Sequence, residues 1–247
     1  MVNYLHFQIG QLPMTSYSQQ LLADLVTLCH ANPSELAAWL DKDSEKIKSC
    51  LIWLILGSSL YGASIGLWRA PLQGLYVAIK FPLLVILTTL GNAVINGMLA
   101  QLLGAKISFR QSFLAILMSF SLIAIILGSL TPLTLFLLHN LPPIGSELQK
   151  QAHALILLTN VALIAFAGVI GNLHLFSLLK HICNDVPKAK QILFTWLGVN
   201  MFLGSQLSWN LRPFFGTPSL EVHFLRDDPF NGSFYETIFR MIKHFLL

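Results

Sequence analysis

One short pattern in the chain has the form of a nucleophile motif. Gly62, Ser64 and Gly66 have the Gly-x-Ser-x-Gly spacing that presents a catalytic serine at a strand-to-helix turn. Here the pattern lies in an apolar run, so a hydrolase would need a histidine from another membrane helix, such as His174. Ser58, Gly62 and Gly66 also form a stripe of small residues, which lets two helices approach closely. Packing is the favoured interpretation, and an intramembrane hydrolase is the second alternative.

Amide side chains are scattered through the apolar middle of the chain. Asn92 and Asn96 are one helical turn apart, and Asn160 and Asn200 follow in later apolar runs. Amides in lipid seek partners across helices, because no water is present to bond them. They would hold the bundle together, which is favoured, or line a path for a solute. No carboxylate accompanies them, which argues against a pump coupled to protons or sodium.

Two further groups contain residues able to bind ligands. His174, His181, Cys183 and Asp185 are close in sequence, but no HxxxH or CxxC pair supports a metal site, so no metal and no cofactor is predicted. A mixed polar and aromatic stretch includes Trp209, Asn210 and Arg212.

This second stretch is the best candidate contact surface. The Arg212 guanidinium suits a phosphate or the carboxylates of Asp227 and Asp228. An interfacial anchor followed by a turn is the equally weighted alternative.

The distribution of acidic residues shows which environment these side chains share. Between Leu51 and Gly204 the chain carries only Glu147 and Asp185, and neither lies in an apolar run. A bilayer excludes carboxylates in this way, because a charge at its centre costs several kcal/mol. With 55% hydrophobic residues, 11% charged residues and a mean hydropathy of +0.67, the chain is expected to be a polytopic membrane protein. The net charge of +4 does not indicate nucleic-acid binding, because the basic residues form no patch.

The apolar runs predict an all-α fold with five transmembrane helices and amphipathic helices at both termini. Residues 1–50 form an N-terminal helical segment, 51–211 the bundle, and 212–247 a tail. The tail is predicted to hold a short extended segment, 219–225, and a final amphipathic helix. The predicted spans are 51–68, 81–104, 112–138, 154–179 and 192–209.

Two details of this layout depend on the basic residues. The segment 69–80 is either an interfacial helix or an extension of the second span, and Lys80 is placed at the interface with its amine among headgroups. A cytoplasmic N-terminus puts eight basic residues of the short connections inside and three outside, which fits the positive-inside rule. Five crossings then place the C-terminus outside, with a bacterial inner membrane as the preferred location. The sequon at Asn231 leaves a eukaryotic endomembrane open.

The layout of a polar N-terminal segment, five closely spaced spans and an external C-terminus resembles the YIP family of five-helix membrane proteins, including its bacterial relatives. The resemblance covers 51–209, and Leu60-Tyr61-Gly62 matches part of the family's aspartate-leucine-tyrosine-glycine-proline element. Ser59 and Ala63 replace its aspartate and proline. The resemblance implies a non-enzymatic helper that binds other membrane proteins or shapes the bilayer.

The leading hypothesis is therefore a non-catalytic scaffold, assembly factor or accessory subunit of a membrane complex. Its expected partners are the lipid bilayer and other integral membrane proteins or further copies of itself, and no nucleic acid. A transporter or channel component with an amide-lined path is the alternative.

Overall fold

The computed structural model describes residues 16–41, 45–105, 107–216 and 221–246. These residues are mostly helical and contain no strand, so the all-α prediction is confirmed for them. The helices in chain order are α1 (Ser16–His30), α2 (Pro33–Leu40), α3 (Glu45–Leu67), α4 (Pro71–Leu102), α5 (Phe109–Ser129), α6 (Thr131–His139), α7 (Gln149–Cys183), α8 (Val186–Asn210) and α9 (Phe234–Leu246).

Four helical stretches in the described part are long and apolar enough to cross a membrane. They are α3, α4, the α5–α6 stretch Phe109–His139, and α7. Helix α8 has 25 residues but does not meet the same criterion, because polar residues such as Asn200, Gln206 and Asn210 lower its hydropathy. The chain is thus an integral membrane protein by the length and composition of four helices.

Helix α3 packs against both α4 and α5 through glycines. A Cβ atom on Gly62 would lie 2.7 Å from the carbonyl oxygen of Val77 in α4. On the other side, a Cβ atom on Gly57 would overlap the backbone of Ala124 in α5. Both approaches require glycine, because any side chain would push the helix backbones apart.

The three residues of the small-residue stripe, Ser58, Gly62 and Gly66, have different surroundings. A Cβ atom on Gly66 would lie 2.5 Å from the carbonyl oxygen of Gln73, just beyond the tight turn into α4. Ser58 is fully buried, and its hydroxyl donates to the carbonyl of Leu54 in its own helix. The stripe thus lies at close helix contacts, with Gly66 at the turn and Gly62 farther along the α3–α4 contact.

Helices α4 and α8 run antiparallel, and most of α8 stays in contact with the second half of α4. The Lys188 amine lies 3.4 Å from the carbonyl oxygen of Gly104, and the Trp196 indole donates to the Asn96 carbonyl at 2.9 Å. Farther along, Gly204 faces Thr88, with the Thr88 methyl 3.8 Å from the position of a Cβ atom on this glycine. Helix α8 therefore lies at the same depth of the bundle as roughly the second half of α4, from Thr88 to Leu102.

The two ends of the bundle carry different additions. At one end, called the cap end, α1 and α2 pack on the bundle, and the Trp53 indole donates to the Leu21 carbonyl at 3.1 Å. The opposite end, called the tail end, holds the α3–α4 turn, the last residues of α8 and the tail beyond them. A salt bridge between Lys46 and Asp24 joins α1 to the start of α3.

Several sequence-based boundaries need correction. The segment 71–80 is part of α4, which continues through Pro82 to Leu102, so it extends the second span. Within the predicted N-terminal segment 1–50, α2 ends at Leu40, and residues 45–50 already belong to α3.

The predicted extended segment of the tail is also not seen as a strand. Residues 221–225 form no strand, and 219–220 lie outside the described residues. A single stretch of alternating residues needs a pairing partner to become a strand, and the described part offers none. The final helix is present as α9, and the Glu236 backbone amide donates to the Ser233 hydroxyl at 3.0 Å.

Candidate functional site

Lys80 lies beneath the tail at the tail end of the bundle, so the prediction that its amine lies among headgroups is wrong. Its side chain is 0% exposed, and its amine donates to the backbone carbonyls of Pro213 at 2.5 Å and Phe224 at 2.7 Å. The rings of Phe214 and Phe224 have their centroids 5.5 and 5.4 Å from the amine nitrogen. Carbonyl dipoles and aromatic faces thus take the place of the acidic partner that the spans lack.

Gln73 holds the same part of the tail from one end of α4. Its amide nitrogen donates to the carbonyls of Pro213 and Phe214, each at 3.0 Å. Together, the two α4 side chains make four hydrogen bonds to backbone carbonyls of the tail. We call this arrangement the Lys80 clamp.

The clamped segment fills a gap in the bundle with aromatic side chains. Phe214 and Phe215 pack against a buried cluster that includes Tyr61 of α3 and Val77 of α4. Phe81 lies between, with its ring centroid 5.9 Å from that of Tyr61 and 6.4 Å from that of Phe214. The start of the tail is therefore part of the packed core at this end of the molecule.

Arg212 marks the point where α8 passes into the tail. Its guanidinium carbon lies 3.3 Å from the ring centroid of Trp209, and one terminal nitrogen donates to the Trp209 carbonyl at 3.1 Å. Burial, together with the positive charge of Arg226, lowers the pKa of the Arg212 guanidinium. The indole nitrogen of Trp209 and Nε of Arg212 are buried without a hydrogen-bond partner among the described residues.

A groove of about 910 Å³ opens beside Arg212, and we call it the arginine groove. Glu236 and Arg240 pair with each other at 3.3 Å on α9. Within the described part of the chain, the other charged groups of the groove make no ion pair within 4.0 Å. The groove is lined by Trp209, Arg212, Arg226, Asp227, Asp228, Asn231, Gly232, Glu236, Thr237 and Arg240.

Two of the predicted amides form an unusual buried group between α4 and α8. Asn92 and Asn96 are 0% exposed, and all four polar atoms of their side chains lack a partner in the described structure. The side-chain oxygen of Asn200 is likewise buried and unpartnered. The antiparallel contacts of α4 with α8 place Asn200 at the same depth as Asn92.

The other two predicted amides have partners elsewhere. Asn160 accepts a hydrogen bond from the Tyr61 hydroxyl at 2.7 Å and donates to the Ile156 carbonyl at 2.8 Å, which joins α7 to α3. Asn210 accepts from the Gln206 amide at 3.0 Å. Asn160 therefore acts as a bond between helices and does not join the unpartnered group.

The proposed serine and histidine of a hydrolase lie toward opposite ends of the bundle. Ser64 is near the tail end, where its hydroxyl donates to the Tyr61 carbonyl and accepts from Thr134. His174 lines a pocket with Leu28 of the N-terminal cap. The structure does not bring the two side chains together.

The histidine and cysteine residues near the end of α7 form no ligand set. Across the described residues, no three His, Cys, Asp or Glu side chains are arranged to hold a metal ion. Asp185 instead caps α8, where its carboxylate accepts from the Lys188 backbone amide at 3.2 Å.

Sequence reasoning missed Gln73 and assigned Lys80 to the wrong environment. The available signal was a lysine directly before the predicted apolar run 81–104. The carbonyls that bind it lie more than 130 residues later in the chain, at positions where side-chain identity carries no information. No family model, curated protein or solved structure matches the chain.

Proposed function

We propose that the chain is a non-catalytic integral membrane protein that acts as a scaffold, assembly factor or accessory subunit of a membrane complex. It crosses the membrane five times, preferably a bacterial inner membrane, with the tail and the arginine groove outside. The observation that carries the proposal is the Lys80 clamp. It fixes an otherwise irregular tail on the bundle, so that a charged surface is held in one position at the membrane edge.

The fifth crossing is supported by the contact of α8 with α4. Contacts run from Lys188 beside Gly104 to Gly204 beside Thr88. Helix α8 therefore lies beside α4, which is long and apolar enough to cross a membrane. An amphipathic helix lying on a membrane surface would not follow a spanning helix through that depth. The polar side chains of α8 lower its hydropathy, but α4 shields part of them from lipid.

The non-catalytic role is supported by how the reactive side chains are used. Ser64, Asn160 and Lys80 all take part in hydrogen bonds between different elements of the fold, with Thr134, Tyr61 and Pro213 respectively. The arginine groove instead lies in the tail and is lined by charged side chains. Binding at that groove is the activity that this arrangement suits best.

Co-purification tests the proposal directly. The full chain is extracted from its native membranes in mild detergent, and bound proteins are identified by mass spectrometry while light scattering gives the particle mass. We expect a stoichiometric partner or a homo-oligomer, with less partner for Arg212→Gln than for Lys150→Gln. Lys150 is an exposed basic residue of α7 outside the groove, so its substitution is the matched control. A monodisperse monomer without a partner would contradict the proposal.

A second candidate function, a component of a solute path, is favoured by the unpartnered amides. Five buried polar atoms on Asn92, Asn96 and Asn200 lack partners, and such atoms cost about 1–3 kcal/mol each unless water or solute bonds them. Asn160 was predicted to line this path, but its side chain is bonded to Tyr61 and Ile156 and does not join the unpartnered amides. In proteoliposomes, Asn96→Leu should abolish solute flux, whereas Asn160→Leu should leave it measurable. Absence of flux with the parent chain would remove this candidate.

A further inference from the structure

We propose that the arginine groove binds a zwitterion that carries a phosphate and an amine, the chemistry of a phosphoethanolamine headgroup. The phosphate lies with Arg212 and Arg226, and the amine lies with Asp227 and Asp228. This inference rests on the proposed placement of the tail at a membrane edge. It adds a ligand class to that proposal and does not depend on any protein partner.

The phosphate half follows from two guanidinium groups that lack carboxylate partners. Arg212 and Arg226 are close enough for Arg226 to disfavour the charge on Arg212, yet neither has a carboxylate within 4.0 Å in the described structure. An anion between them would relieve this repulsion, and guanidinium groups bind phosphate oxygens in pairs. Stacking on Trp209 fixes the orientation of Arg212, so less side-chain entropy is lost on binding.

The amine half follows from the remaining charges of the groove. Glu236 is paired with Arg240, so these two charges offset each other. Asp227 and Asp228 line the same groove and are exposed, and neither makes an ion pair in the described part. Two unpaired cations and two unpaired anions in one groove match a ligand with one charge of each sign better than a simple anion.

The position and size of the groove suit a headgroup. Trp209 is in the last turn of α8, and tryptophan favours the headgroup layer at the ends of membrane helices. The volume of about 910 Å³ lies within the range of roughly 300–1,000 Å³ that is typical of small-molecule sites. A lipid headgroup is the nearest source of this chemistry, and soluble phosphoethanolamine carries the same groups.

Native mass spectrometry of the purified full chain tests the inference. The protein in detergent is titrated with phosphatidylethanolamine, with dioleoylglycerol, which has no phosphate, and with phosphoethanolamine as a soluble competitor. We expect phosphatidylethanolamine to bind, and Arg226→Gln to weaken this binding about tenfold, the size of one charge-assisted hydrogen bond. Lys150→Gln is the control and should bind as the parent does. Arg226 is exposed, so its substitution leaves the packed core intact even if Arg212→Gln perturbs it.

Competition with phosphoethanolamine and substitution of Asp227 and Asp228 identify the source of the ligand and the role of its amine. Displacement of the lipid by phosphoethanolamine would assign the site to a soluble ligand as well, and no displacement would assign it to lipid. The double variant Asp227→Asn, Asp228→Asn should lose the preference for phosphatidylethanolamine over phosphatidylglycerol. Equal binding of dioleoylglycerol, or unchanged binding by Arg226→Gln, would overturn the inference. Co-purification of a protein partner is measured separately, so either proposal can fail alone.

Discussion

At the scale of single residues, the structure of the tail end depends on how the charge of the buried Lys80 is compensated. Lys80 lies nine residues from the start of α4, roughly 13 Å along the helix axis. A buried ammonium without compensation would cost several kcal/mol. The clamp supplies that compensation with two backbone carbonyls, which only a folded tail can place there. Folding of the tail and burial of Lys80 are therefore one event.

Replacing Lys80 should loosen the tail. Lys80→Met removes the hydrogen-bond partner of the Phe224 carbonyl, at a cost of about 1–3 kcal/mol, and leaves the Pro213 carbonyl bonded to Gln73 alone. We expect amide hydrogen exchange in residues 221–231 to become at least about tenfold faster, measured by mass spectrometry in detergent. Lys150→Met removes an exposed charge at the same end and should leave that exchange unchanged. Unchanged tail exchange in Lys80→Met would argue against the clamp.

The hydrogen bond between Tyr61 and Asn160 should be measurable as a coupling energy. Tyr61→Phe removes the donor and Asn160→Leu removes the acceptor of the same buried bond. A double-mutant cycle of unfolding free energy, from denaturation by sodium dodecyl sulfate in mixed micelles, should give a coupling of about 1 kcal/mol. Additive effects of the two substitutions would show that Asn160 has no role in joining α7 to α3.

At the scale of helices, close contact between backbones determines which glycines matter. The sequence indicated the stripe at Gly62 and Gly66, but it did not single out Gly57, which meets α5 on the opposite side of α3. Glycine content alone does not separate these positions. Gly168 of α7 has no atom within 4 Å of where its Cβ would lie, although it too sits in an apolar run.

Two glycine substitutions should therefore have opposite effects. Gly57→Ala places a methyl group against the Ala124 backbone and should lower the unfolding free energy by about 1–3 kcal/mol. Gly168→Ala meets open space and should be neutral or stabilise the helix by up to about 1 kcal/mol. The same titration with sodium dodecyl sulfate compares the two variants. Equal losses at both positions would contradict the packing described for α3.

The elements that could be predicted from sequence are those set by local composition. The apolar runs 51–68, 112–138 and 154–179 overlap α3, α5 and α7. Such runs can be recognised one at a time, because each must be free of charge over the length that lies in lipid. The extension of α4 to Pro71 was left undecided, and the strand in the tail was wrong. The missing strand reflects the lack of a pairing partner among the described residues. The first part of α4 bonds to the tail through Gln73 and Lys80, and such contacts between segments distant in sequence leave no periodic signal.

At the scale of the whole molecule, a bundle of membrane helices carries a charged groove at its tail end. Glycine contacts hold α3 against its neighbours, α8 packs beside α4, and the clamp holds the tail against α4. The arginine groove then lies where α8 leaves the bundle. Of the groove residues, the sequence pointed to Trp209 and Arg212, with Asp227 and Asp228 as possible partners of Arg212. Arg226 and Arg240 were not predicted, because they join the groove only through the folded tail.

The fifth crossing is the central claim, and cysteine labelling tests it most directly. In a background with Cys29, Cys50 and Cys183 replaced, single cysteines are placed at the exposed positions Ala38 and Asn231. A membrane-impermeant maleimide is then applied to intact cells and to permeabilised cells.

We predict that Asn231→Cys is labelled in intact cells, as is a reference cysteine at Glu147 between α6 and α7, whereas Ala38→Cys is labelled only after permeabilisation. Labelling of Asn231→Cys only after permeabilisation, together with Ala38→Cys, would put both ends of the chain on one side. Helix α8 would then not cross the membrane, and the arginine groove would not lie outside.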